Sequence, residues 1–168
     1  MGGSGSQEFM VISEVGEDTI AYCEDCRYSA NIEKAVCVAP EASNEEMKDM
    51  HKVKTPDART IDEVAAFFGK DAKSFVKTMI YNCDGKLYAV LVRGDREINE
   101  VKLANITGAA EVALADAEDV VKITGAKVGF AGPVNLSAPI IADNEVMAMR
   151  NFIVGANETD CHIENVNP

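Results

Sequence analysis

The stretch "SFVKTMIYNCDGKLYAVLVRG", Ser74–Gly94, decides the fold class. Two runs rich in Val, Ile, Tyr, Phe and Leu flank Asp84-Gly85, a pair favoured in two-residue hairpin turns because both central residues take positive φ. Strands joined this way are antiparallel, so an all-parallel sheet is excluded. Helical patterns surround the hairpin. "TIDEVAAFFG" has Thr60 as N-cap, Glu63 completing a capping box, apolar residues at Ile61, Val64, Ala65 and Phe68, and Gly69 at the stop. "INEVKLANITG" predicts a second helix ending at Gly108, and "DAEDVVKITG" a third between Asp116 and Gly125. Short strands are expected at "MHKVKTP", Pro139–Ala142, Asn151–Val154 and Cys161–Val166. The expectation is therefore an α/β fold of the mixed α+β kind: a single domain with a mixed, mostly antiparallel sheet flanked by helices. Towards the N-terminus, Val11–Ala21 reads as a strand broken at "GED", "YSANIEKAVCVA" shows short helical periodicity up to Pro40, and "PEASNEEMKDM" reads as a surface connection.

The chain has 168 residues, 47% hydrophobic and 26% charged, which suits a folded domain that needs no disulfide or metal staple. No apolar run reaches the roughly 18 residues that span a bilayer, and no secretory signal opens the chain, so the expectation is a cytoplasmic protein with no membrane partner. A formal net charge of −12 argues against a general nucleic-acid coating protein, DNA included; any nucleic-acid contact has to be local. Five cysteines, an odd number, favour free thiols. Cys23 and Cys26 form a C-x-x-C without a second ligand pair, so no metal is expected there, and no cofactor elsewhere.

Lys77 stands in the middle of an apolar strand, on one face with Phe75 and Met79. It reads either as an edge lysine that snorkels to solvent or as a cation at the floor of a cleft. In "VGFAGPVNL", Gly129, Gly132 and Pro133 make either an ordinary turn or a loop whose amides point at a carbonyl or phosphate oxygen. Asp143 follows a hydrophobic strand as a helix cap or a site residue, and His162 lies in a strand near the C-terminus. Serine-hydrolase, zinc-protease, Walker and Rossmann signatures are absent, so a hydrolase of this sequence has to act by positioning its substrate and water.

Taken in order, "KTPDARTIDEVAAFF", "FVKTMIY", "YAVLVRGDREINEVKLANITGA", "VGFAGPVNL", "PIIADNEVMAMRNFIVGAN" and "HIENVN" closely resemble the insertion domain of bacterial-type prolyl-tRNA synthetases. The resemblance implies an editing module with the fold of freestanding, YbaK-like aminoacyl-tRNA deacylases, hydrolysing alanine mischarged onto proline tRNA. Its implied partners are the acceptor end of that tRNA and the catalytic core of the parent synthetase. The opening "GGSGSQEFMVISEVGED" resembles the core segment that precedes the insertion. Residues 1–15 are thereby implied to be a leader with Met1 added, 16–168 the editing domain, and the chain an excised piece. Residue by residue, the resemblance makes Lys77 the lysine that holds the sugar-phosphate end. Gly129 and Pro133 become the G-x-x-x-P loop, with Gly132 inside it, whose amides meet the ester carbonyl. Thr55, Asp143 and His162 become pocket residues, His162 keeping the pocket alanine-sized. Arg93, Arg96 and Lys102 are candidates for seating the acceptor end. A freestanding deacylase and a noncatalytic tRNA-positioning insertion are the alternative readings.

Overall fold

The computed structural model describes residues 11–16 and 18–168; the expectations for Met1 and Gly2–Met10 lie outside the described residues. The chain divides into two compact units, Met1–Cys37 and Val38–Pro168.

In the first unit, β1 (Ile20–Tyr22) and β2 (Ser29–Asn31) form an antiparallel two-stranded ribbon. The strand expected from Val11 is confined to its last residues, and the helix expected in "YSANIEKAVCVA" is not formed. Asn31 explains the second difference. Its side-chain oxygen accepts from Lys34 N at 3.1 Å, and its carbonyl accepts from Lys34 and Ala35 N–H, closing a local turn that competes with helix propagation. Cys23 and Cys26 lie within the connection between the two strands, and all five cysteines are free thiols.

In the second unit the strands are β3 (His51–Lys54), β4 (Val76–Cys83), β5 (Lys86–Arg93), β6 (Val112–Leu114), β7 (Ile140–Ala142), β8 (Phe152–Gly155) and β9 (Cys161–Val166). The helices are α1 (Ile61–Phe68), α2 (Glu100–Thr107), α3 (Ala117–Thr124) and α4 (Asn144–Ala148). The sequence leads to one mixed sheet, whereas this second unit alone has two. One is antiparallel in the order β3-β9-β8; the other, in the order β6-β4-β5-β7, is antiparallel except for the parallel pair β5-β7.

The hairpin sets the larger sheet. Asp84 (φ 51°) and Gly85 (φ 84°) make the turn expected of an Asp-Gly pair, closing the register at Cys83 opposite Lys86. The Asp84 carboxylate accepts from the Ala110 and Glu111 amides at 2.9 Å, which holds its pKa below the usual carboxylate range and ties the turn to the start of β6. The expected caps of α1 and α3 are present, and α2 gains one at Asn99 that its sequence signal did not name. Thr60 and Glu63 form the capping box of α1, Asn99 and Asp116 cap α2 and α3, and Gly69, Gly108 and Gly125 end the three helices in the left-handed conformation. The main core gathers Val76 and Ile80 of β4, Ala89 and Leu91 of β5, Val120 of α3 and Val154 of β8. Each Val, Ile or Leu among them contributes about 1.5–3 kcal/mol of burial relative to exposure. The opposite face of β4 packs Met79 and Tyr81 with Leu103 of α2. Among the described residues, no helix is long and apolar enough to cross a membrane.

Candidate active site in the fork of β4

β4 has two different neighbours along the edge opposite β5. Its second half, Tyr81–Cys83, pairs with β6, and Ile80 O accepts from Ala115 N to extend that contact. At its other end, Phe75 makes a parallel bridge with Ile153 of β8. Between these contacts, Val76–Met79 has no strand partner on that edge among the described residues. A cleft of about 320 Å³ opens in the fork. Its walls are Thr60, Ile61 and Val64 at the start of α1, Val120 of α3, residues 153–155 of β8, and the loop around Gly129.

Lys77, Gly129 and His162 all line this cleft, although the sequence separates them widely. The Lys77 side chain is 17% exposed and donates to Glu97 at 2.8 Å, whose own side chain is 93% exposed. Flanking apolar residues bury the stem of the lysine while its ammonium reaches the edge of the fork. Arg59 joins it among the lining residues; no Asp or Glu side chain does so among the described residues. In a chain of net charge −12, these two side chains concentrate positive charge on one wall of the cleft.

The loop from Gly129 is held by backbone contact and by one asparagine. Gly129 has φ +100°, a conformation that an L side chain rarely adopts. A Cβ on Gly132 would stand 1.8 Å from Gly155 O, so the loop and β8 touch main chain to main chain. Asn157 clamps the loop: its side-chain oxygen accepts from Gly132 N at 2.8 Å, its side-chain amide donates to Gly132 O and Val134 O, and its own N–H donates to Phe130 O. The Phe130 N–H is also committed, to Lys127 O. Gly129 and Ala131 differ, because neither N–H donates to another described residue and both residues line the cleft. Sequence reasoning missed Asn157 and Gly155. Both lie in "RNFIVGAN", where the signal was a Gly and an Asn directly after a strand.

His162 is buried, at 5% exposure, with its ring edge-on to Phe130. Its Nδ1 lies 2.6 Å from the hydroxyl of Thr55, which is fully buried at the end of β3, and the two share a hydrogen bond. Thr55 thus supports His162 from behind and is not among the lining residues. Burial pushes the His162 pKa below its ordinary value, so the ring is neutral at pH 7. The unfolded chain binds a proton there more readily, so stability rises with pH in this range. The contribution is present above the unfolded pKa of about 6.5 and is lost as pH falls through the lower folded value. Wild type is therefore expected to lose thermal stability as pH falls below about 6.5, and His162→Gln to lose much less, measured by melting temperature across the acid limb. Carboxylates held low, such as Asp84 and Glu145, titrate below the ordinary carboxylate range.

The other expected site residues lie elsewhere. Asp143 does not line the cleft: its carboxylate caps α4 by accepting from Glu145 N at 2.8 Å, and its N–H donates to Leu91 O. Asp143 thus takes the cap, one of its two sequence readings, and lies outside the lining that Lys77 and His162 share. Pro133 and Gly132 sit behind the cleft lining, where Pro133 O accepts from Leu136 N. Arg93 and Arg96 are held by carboxylates, Arg93 by Asp95 and Glu145 and Arg96 by Glu145.

A family profile described as aminoacyl-tRNA editing domain matches residues 55–168, the stretch that holds every lining residue of the cleft. The chain belongs to the aminoacyl-tRNA editing domain family. It is 62% identical over 168 residues to a proline–tRNA ligase of Caldicellulosiruptor saccharolyticus, covering 99% of this chain and 29% of that protein. It is 56% identical over 171 residues to a proline–tRNA ligase of a Thermoanaerobacter species, covering 99% of this chain and 30% of that protein. The chain therefore spans less than a third of the length of these relatives. A solved structure of a proposed trans-editing enzyme for prolyl tRNA synthetase matches it with a TM-score of 0.63, covering 71% of this chain and 76% of that one. At 21% identity, that likeness shows the shared mixed α/β fold.

Proposed function

We propose that this editing domain hydrolyses the ester of alanine mischarged onto proline tRNA, acting next to the catalytic core of a parent synthetase in the cytoplasm. The observation that carries the reading is the meeting, in one cleft, of a cation at the strand fork, two uncommitted backbone N–H groups and a buried neutral histidine. The need for such an activity is physical. A synthetic site shaped for proline rejects the smaller alanine by only about 1–3 kcal/mol of lost contact, so a second site has to admit alanine and refuse proline.

In this reading Lys77, with Arg59 beside it, holds the phosphate of the terminal nucleotide. The amides of Gly129 and Ala131 donate to the ester carbonyl oxygen, where negative charge develops. Water attacks the carbonyl carbon, the bond to the ribose oxygen breaks, and a proton returns to that oxygen, leaving alanine and an uncharged tRNA. No side-chain nucleophile is required, because an aminoacyl ester is already activated and needs chiefly to be held in reach of water. Pro133 and Gly132 keep the loop in shape, Thr55 fixes the His162 ring, and Asp143 acts through α4.

The test is to incubate the purified chain with alanyl-tRNA and prolyl-tRNA, both made on proline tRNA. Release of alanine and not of proline is expected; release of neither overturns the reading in favour of a noncatalytic insertion. His162→Ala separates choice from rate. Removing a buried ring from the cleft wall is expected to narrow the discrimination between alanyl- and prolyl-tRNA by about tenfold or more, while alanyl-tRNA remains a substrate. Unchanged rejection of prolyl-tRNA by His162→Ala would make His162 a structural residue of β9.

A further inference from the structure

Among the described residues, the Thr78 hydroxyl is a buried side-chain oxygen without a hydrogen-bond partner. Thr78 lines the cleft, at the centre of the unpaired stretch of β4. It alternates with Val76 and Ile80, both in the apolar core, so a valine would fit the same place by shape. A buried hydroxyl left unpaired costs about 1–3 kcal/mol, which a valine would avoid. The position of that cost, inside the substrate cleft, points to a partner that comes with the ligand.

The chemistry of the partner follows from the other lining side chains. Arg59 and Lys77 only donate. The Thr60 hydroxyl already accepts from Glu63 N, and His162 Nδ1 is engaged with Thr55. Thr78 Oγ1 is thus the uncommitted side-chain oxygen, in a site whose cations repel a positive ligand group. Every aminoacyl ester carries such a group in its α-ammonium.

We propose that Thr78 Oγ1 accepts a hydrogen bond from the α-ammonium of the bound aminoacyl group and so orients the ester towards the Gly129 loop. This inference rests on the proposed function. It makes Thr78 a recognition residue for a free amino terminus: aminoacyl esters are held in register, and N-blocked esters are not.

The test measures binding of 3′-deoxy-3′-(alanylamino)adenosine, whose amide link resists hydrolysis, and of its N-acetylated form, by calorimetry. Wild type, Thr78→Val and Thr78→Ser are compared. Thr78→Val is expected to keep or raise thermal stability and to weaken binding of the free-amine compound by about tenfold or more, the scale of a hydrogen bond to a charged group. Thr78→Ser is expected to bind nearly as wild type. The N-acetylated compound is expected to bind weakly and equally to wild type and Thr78→Val. Unchanged binding of the free-amine compound to Thr78→Val overturns the assignment of Thr78 alone, and so does an equal loss for both compounds. A wild-type chain that binds neither compound overturns the functional reading and this inference with it.

Discussion

Lys77→Ala is expected to lower kcat/KM for deacylation of alanyl-tRNA by about a hundredfold, with no change in the preference over prolyl-tRNA. The size follows from losing a charge-assisted contact to phosphate, about 1.5–3 kcal/mol, together with the slack this leaves between the ester and the donors of the Gly129 loop. The preference is expected to hold because, in the proposed function, Lys77 grips the part common to every charged tRNA. Stability is expected to change little. The partner of Lys77, Glu97, has a side chain that is 93% exposed, and pairs with so exposed a partner are worth at most about 1 kcal/mol. Lys77→Arg is not expected to rescue, since a planar fork on a longer stem does not present the same compact ammonium. Single-turnover deacylation beside thermal melts separates the two effects. Wild-type turnover by Lys77→Ala would remove the lysine from the mechanism, and a collapse in melting temperature would make it a structural residue.

Gly132→Ala is expected to have the largest effect on stability, about 3 kcal/mol or more. The added Cβ would lie 1.8 Å from Gly155 O and 2.7 Å from Gly155 C, and main-chain atoms cannot rotate aside as a side chain does. Either β8 or the loop has to move, and the second course breaks the Asn157 clamp and withdraws the Gly129 and Ala131 amides from the cleft. Gly69→Ala is the control. Gly69 also sits at positive φ, 61°, but its Cβ would meet nothing within 4 Å, so only backbone strain of about 1 kcal/mol is expected. Urea unfolding of the three proteins measures the difference. Equal costs for the two substitutions would show that backbone strain alone governs both, and that the close approach of Gly132 to Gly155 carries no weight.

Much of the architecture was legible locally. The Asp84-Gly85 turn, the Thr60–Glu63 capping box and the terminal glycines of α1, α2 and α3 act within a few residues of chain, so residue identity settles them before any packing occurs. The region of Tyr28–Ala39 misled for a related reason. Its spacing suited a helix, but the Asn31 side chain and carbonyl closed a turn first, and periodicity does not weigh that competition.

The sequence by itself determined the antiparallel hairpin, the caps, the class of fold and the anomaly of a lysine within an apolar strand, since each rests on φ/ψ preference or side-chain polarity along one segment. Only the tertiary structure decided that β4 has two different edge partners, that the gap between them is a cleft, and that Asp143 spends its carboxylate on α4. It also decided which loop amides remain uncommitted and that the Thr78 hydroxyl is buried without a partner. Those facts depend on groups far apart in the chain meeting at hydrogen-bond distance. Asn157 binds Gly132 and Thr55 binds His162 across such separations, and no pattern within one segment encodes that meeting.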